Sequence, residues 1–299
     1  KEPEPLPMLI LPIDIVMKRR NLDHDTFALW LYSLPWNGVQ RDRIKQTLDD
    51  YLVGHTTIGG KHDFTIFWQI DETGTVRTGK MMKYYPEGHP KFGHRDRESH
   101  YNFDWVHSAL SRRWDDERHE MTYDPPYPFP DIYDPSKQEP IQTLFGMHLL
   151  NAYGQTGQVN IVESEKTAII MAIAYGNHSG DVWMACGGIE MLNRERLAPI
   201  IKQHRRIVLY PDRDGIDKWR IKAEQLHYDR VTVDDNPVTK WWKPEDGDKA
   251  DIADVVIRMV NNSKPITTID EVKAKMPETK ELIDKLNLTI DNDRRTNTD

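Results

Sequence analysis

Cysteine is almost absent from this sequence: Cys186 is the one thiol in 299 residues. That excludes an internal disulfide and any zinc site built on several thiolates, and it fits a reducing, cytoplasmic setting. Long apolar runs are also missing. None approaches the ~18 residues of a membrane span, and the patch Met8, Leu9, Ile10, Leu11 is too short and too closely flanked by proline for a signal peptide. Positive charge is not in excess. The formal net charge of −8 argues against a basic coat for nucleic acid, while leaving room for a local basic groove. No internal repeat is visible. Seven histidines fall between residues 55 and 119 (His55, His62, His89, His94, His100, His107, His119). Their spacing fits no zinc pattern, and they read as surface or locally satisfied groups.

What is present divides the chain in two. The length suggests two domains, and a hydrophobic content of 38% suffices for real cores. Residues 1–12 are rich in proline and read as irregular. Apolar spacing predicts helices over 22–34, with Asp23 or Asp25 as N-cap, and over 39–52. A β-rich run at 64–70, a turn at 71–74 and a second run at 75–84 predict a hairpin. An aromatic run over 101–114 is rich in His, Arg and Trp. Six prolines among residues 124–140 mark the best domain boundary. Beyond it a short helix is expected over 144–150. Strands at 159–163, 181–186, 206–211 and 230–233 then alternate with helices at 164–175, 190–204, 215–228 and 251–261. This alternation is the pattern of a parallel α/β sheet. The expected architecture is an N-terminal α+β domain (1–140), a Rossmann-like, mainly parallel sheet flanked by helices (141–265), and a charged helix with a polar tail (266–299).

Three carboxylates stand where strands of that sheet end: Glu163 after the first, and Asp212 and Asp214 after the third. Gly187-Gly188 follows the second strand. Ligands of such sheets bind beyond the carboxyl ends of the strands. Acidic oxygens without thiol or imidazole suit Mg²⁺ or Mn²⁺, so Glu163, Asp212 and Asp214 are the candidate catalytic and metal residues. Asp217, Asp251 and Asp254 could join through water, or could simply oppose helix dipoles. Lys166 is a candidate phosphate contact beside Gly187 and Gly188, although Glu165 and Lys166 also read as solvated. Cys186 reads as a small buried hydrophobe. Upstream, Arg77, Lys80 and Lys83 interleave with Tyr84 and Tyr85. Cations for phosphates and rings for stacking make these five the candidate single-strand platform, against the alternative of a solvated hairpin face.

At these residues the chain resembles the TOPRIM family, the module of bacterial primases, type IA and type II topoisomerases and certain nucleases. The family pattern is a Glu after the first strand, a glycine turn after the second and Asp-x-Asp after the third. Glu163, Gly187-Gly188 and Asp212-Arg213-Asp214 match it in turn, and residues 249–254 resemble its terminal Lys-Asp-x-x-Asp element. The match covers roughly residues 155–262. Upstream, residues 67–79 resemble the strand-turn-strand of the bacterial primase core, and Leu144-Phe145-Gly146 stands in place of its Leu-Tyr-Gly segment. The overall order looks like primase-like TOPRIM proteins of conjugative and mobilisable elements. Departures are Ser164 and Thr167 where primases have Gly and Asp, Gly215 directly after Asp214, and Ala168 where type IA topoisomerases have Lys. Many relatives of this kind carry an N-terminal zinc ribbon; none is present here, which suggests a fragment or a lineage without one.

The resemblance implies metal-dependent nucleotidyl or phosphoryl transfer on single-stranded DNA or RNA, with nucleoside triphosphates as substrates, in replication or transfer of a mobile element. A replicative helicase or a mobilisation protein would be its partner, and no membrane would be involved. Two other readings use the same residues: a metal-dependent TOPRIM nuclease, and a non-catalytic DNA-binding protein that keeps the fold.

Overall fold

The computed structural model describes residues 5–58, 62–110, 113–115, 120–122, 137–154, 156–176 and 180–262. The expected terminal helix at 268–286, the polar tail, His119 and most of the proline-rich stretch lie outside them. After a short helix α1 (Ile13–Met17) come α2 (Thr26–Ser33) and α3 (Gly38–Asp50). Each of these two starts where a short polar side chain accepts a hydrogen bond from an otherwise orphaned amide. Asp25 takes the N–H of Ala28, and Asn37 that of Gln40.

The N-terminal sheet is antiparallel, in the order β1 (Gly54–Ile58), β2 (His62–Ile70), β3 (Val76–Met82), β4 (Phe103–Trp105). The β2–β3 turn is built by Asp71. Its carboxylate accepts from the Thr73 and Thr75 amides at 2.9 and 3.0 Å and binds Arg77 at 2.7 Å. β2 is buried on both faces, so it shows an almost unbroken apolar run. Phe64, Ile66, Trp68 and Ile70 enter one core with Leu9, Ile15 and Tyr101, while Phe67 enters the other. The helix α4 (Val106–Leu110) and a small ribbon, β5 (Arg113–Asp115) with β6 (Glu120–Thr122), follow.

The second sheet is fully parallel, in the order β10 (Val231–Val233), β9 (Ile207–Leu209), β7 (Val159–Val162), β8 (Val182–Ala185). Helices α5 (Glu165–Tyr175), α6 (Ala198–Lys202), α7 (Ile216–Gln225), α8 (Asn236–Thr239) and α9 (Ile252–Asn262) are interspersed. The chain is thus a mixed α/β protein, with an antiparallel sheet and a parallel sheet flanked by helices. Two expectations change. The helix predicted over 190–204 is only α6, because Pro199 has no amide hydrogen and fits only in a first turn. The helix predicted over 144–150 is a 3-10 segment, Met147–Asn151.

One buried cluster joins Phe27, Trp30 and Tyr51 to Ile161, Met184 and Leu209 of the parallel sheet. Burying each such side chain contributes about 1.5–3 kcal/mol, so this shared core fixes the N-terminal helices against the sheet. The Tyr51 hydroxyl adds a 2.6 Å bond to the Trp183 carbonyl. At the amino edge of the sheet, Arg205 is 2% exposed. Its guanidinium donates to the carbonyls of Leu150, Gly154, Gly157 and Gly180. Among the described residues, no helix is long and apolar enough to cross a membrane.

Candidate functional site

The parallel register brings the sequence-predicted carboxylates to one edge. Val162 pairs with Ala185 and Ile161 with Leu209, so Glu163, the Gly187-Gly188 turn and Asp212 all emerge beyond the carboxyl ends of β7, β8 and β9. The Gly187 amide donates to the Glu163 carbonyl at 2.8 Å, which ties the glycine turn to the acid. Gly187 has φ +76°, and a Cβ there would stand 3.3 Å from Glu165 Oε1. The turn therefore needs a residue without a side chain.

The electrostatics are those of crowded acids. Burial, together with Asp251, Glu163, Asp214 and Asp254, pushes the Asp212 carboxyl up to about 8. Glu163 is also raised, first by burial, with Lys80 opposing and Asp214, Glu165 and Asp251 adding to it. Asp254 rises to about 6 by burial and the nearby Asp251. Asp251 and Asp254 start α9 as a reciprocal cap, each carboxylate accepting the other's amide at 3.0 Å, and the Thr167 hydroxyl donates to Asp251. Asp214 is half exposed, with Lys249 Nζ at 3.5 Å. Asp217 stands apart on α7, with a 91% exposed side chain facing Arg220.

Whether these residues fit a divalent cation can be judged from their donors. All are oxygen, and Asp212, raised first by burial and then by four neighbouring acids, stands where negative charge is crowded. Among the described residues, however, no three Asp, Glu, His or Cys side chains already converge as ligands to one ion. The set fits a hard cation that keeps several waters, rather than a preformed all-protein cage.

Other predicted residues are engaged elsewhere. Lys166 is turned toward the N-terminal half. Its ammonium donates to the Gly93 carbonyl at 2.8 Å and lies 4.1 Å from the Trp30 ring centroid. Burial lowers its pKa to about 8. Arg77 pairs with Asp71 and Lys83 with Asp96, at 2.7 and 3.5 Å. Tyr84 packs between Phe27 and Phe67, while Tyr85 stacks on His89 with centroids 4.1 Å apart. Both tyrosines are 5% exposed. The expected open aromatic platform is therefore corrected: Tyr84 is packed into the core and Tyr85 is covered by His89, with Lys91 over its ring. Cys186 is buried and its thiol pushed up to about 12 by that burial, as suits a small hydrophobe.

Glu165, which the sequence suggests is solvated, is instead part of the interior. It is 3% exposed, and Lys80 of β3 binds its Oε2 at 2.9 Å while Oε1 has no partner. The pair joins residues 85 positions apart, so no local pattern could have shown it. Lys80 thus becomes part of the carboxylate site, not of a solvent-facing hairpin.

A family model described as "Domain of unknown function (DUF6371)" matches residues 25–213. No curated protein matches the chain in sequence. Among solved structures, the primase fragment of the bacteriophage T7 primase-helicase is 15% identical. The match covers 87% of this chain and 78% of that one, with a TM-score of 0.46. The DnaG catalytic core is 12% identical, covering 92% and 82%, with a TM-score of 0.46. The E. coli primase catalytic core is 12% identical, covering 93% and 97%, with a TM-score of 0.41.

Proposed function

The chain belongs to the DUF6371 family, a domain of unknown function, and from its carboxylate site we propose metal-dependent nucleotidyl transfer of the primase type on single-stranded nucleic acid. The observation that carries this reading is Asp212. Burial and four neighbouring carboxylates raise it to about 8 at the carboxyl edge of a parallel sheet, where a bound divalent cation would relieve the repulsion. Asp212, Asp214 and Glu163 would hold that ion, Mg²⁺ or Mn²⁺, with Asp251 and Asp254 reaching it through water. When bound, it would neutralise charge on the transferring phosphoryl group.

The chain's own groups supply the rest. Glu163, raised by burial, would accept a proton from an attacking 3′-hydroxyl. Lys80 would balance the acids from the hairpin side and keep Glu163 from protonating outright. Gly187 and Gly188 would let triphosphate oxygens approach backbone amides. Arg77 and Lys83 could meet a template strand only by leaving Asp71 and Asp96, so their contribution would be to phosphates alone. A mobile-element setting, with a helicase or mobilisation protein as partner, goes with this reading through the motif order of the sequence.

The test is incubation of the full chain with labelled single-stranded DNA or RNA, Mg²⁺ or Mn²⁺, and nucleoside triphosphates. Products longer than the input, or new oligonucleotides, are expected, and Asp212→Asn with Asp214→Asn should abolish them. Metal-dependent shortening would assign a nuclease, and bound but unaltered strands a binding protein; either outcome would overturn the proposal.

A further inference from the structure

Between the C-terminal part of α5 and the loop that leads into α9 lies a cavity of about 330 Å³, lined by Asn160 and Trp183 of the parallel sheet among others. Its walls are aromatic. Trp183 is 5% exposed, and its ring lies 5.1 Å from Tyr210 and 6.4 Å from Tyr175. Tyr175 and Trp241, 52% and 48% exposed, are the more open members of the lining. Two carboxylates, Asp181 and Asp234, complete it.

Each of these acids is fixed through one oxygen. Asp181 Oδ1 accepts the Gln158 amide at 2.8 Å, and Asp234 Oδ1 accepts from Asn236 through its backbone and side-chain nitrogens. The second oxygen of each has no partner among the described residues, and neither acid is ion-paired there. Among the described residues, no Lys or Arg lines the cavity. The nearby Arg205 guanidinium is committed to carbonyls. The Tyr210 hydroxyl is pushed up to about 12, first by burial and then by Asp234; Arg206 opposes this, and Asp181 adds a smaller effect, so Asp234 is the acid whose field is felt most at the cavity wall.

We propose that this cavity is a binding site for a small organic cation, an ammonium or guanidinium group seated against Trp183 and Tyr210 and paired with Asp181 and Asp234. Aromatic faces attract such cations through their negative π-surface, most strongly where water is displaced. Fixed carboxylates with a free oxygen supply the counter-charge. The same lining disfavours phosphates and other anions, which distinguishes this cavity from the carboxylate edge of the sheet. None of its acids belongs to the proposed metal set, so the inference stands apart from the nucleotidyl-transfer reading.

Fluorine NMR on the full chain carrying fluorotryptophan tests it, with the Trp241 resonance assigned through Trp241→Phe. The probes are choline, arginine methyl ester and the neutral choline isostere dimethylbutanol, at constant ionic strength. Saturable shifts at Trp241 are expected with the two cations. The isostere should bind roughly tenfold more weakly, a ratio equal to about 1.4 kcal/mol. Asp181→Asn with Asp234→Asn keeps both backbone-accepting oxygens and should weaken the cations by at least about tenfold, with divalent-ion binding at Asp212 unchanged. Equal response to choline and its isostere, undiminished binding in the double variant, or no saturable shift would each overturn the proposal.

Discussion

Asp212 holds its proton to a higher pH than an ordinary carboxylate, first because it is buried and then because four acids surround it. Its folded pKa of about 8 lies above the ordinary value of 3.8. Below pH 3.8 both folded and unfolded chains hold the proton, and the group contributes nothing to the pH dependence. Between the two values the folded state binds more protons than the unfolded one, so stability falls as pH rises and the loss is complete near pH 8. In metal-free buffer, Asp212→Asn should remove this component. The variant should melt higher than wild type at pH 8, by at least about 1 kcal/mol or roughly 2–4 °C, and the difference should shrink toward pH 4. Addition of Mn²⁺ should reverse the order by stabilising wild type alone. Thermal melts across pH, with and without Mn²⁺, check this; parallel pH curves for the two proteins would show that Asp212 is not crowded. The acid itself was legible in the sequence, because position after an apolar strand is a local signal. Its raised pKa was not, because the largest cause is burial, which is set by the fold and not by the residues beside Asp212 in the chain.

At the scale of elements, the Lys80–Glu165 pair connects β3 to the first turn of α5. Both partners are largely buried, at 15% and 4% side-chain exposure. Removing one partner leaves an unpaired buried charge, which costs about 3–5 kcal/mol, whereas replacing both by apolar groups is often near neutral. Lys80→Met alone should therefore lower stability by about 3 kcal/mol, and Lys80→Met with Glu165→Leu should recover most of the loss. Denaturant titrations of the two single variants and the double variant decide this, and additive costs would mean that the two side chains act independently. The hairpin was legible because Asp71 to Thr75 is a local turn and β2 and β3 are β-rich. Its surface was misread for the same reason. Arg77, Lys80 and Lys83 look available to phosphates in sequence, but a local pair with Asp71 and longer-range pairs with Glu165 and Asp96 engage them instead. Likewise α6 was overextended because the apolar spacing of 190–204 continues through a segment that Pro199 allows to start only late.

In the molecule as a whole, the core that joins α2 and α3 to the parallel sheet could not be read from the chain. Apolar periodicity shows which face of an element is buried and not what it meets. The alternation of strands and helices after residue 141 does suffice to place Glu163, Asp212 and Asp214 at one edge, since parallel strands put all their carboxyl ends together. The opposite edge is held by Arg205. Four carbonyls from residues 150, 154, 157 and 180 share one guanidinium, so stretches that are separate in sequence form a single unit of opening. Native-state hydrogen exchange should find the protected amides around 150–158 and 180–182 exchanging with one common free energy. Arg205→Lys, whose ammonium cannot reach four acceptors in a plane, should split them into independently opening segments. The slow edge of the sheet would then loosen without any change at the carboxylates, leaving a protein that works at one end while it breathes at the other.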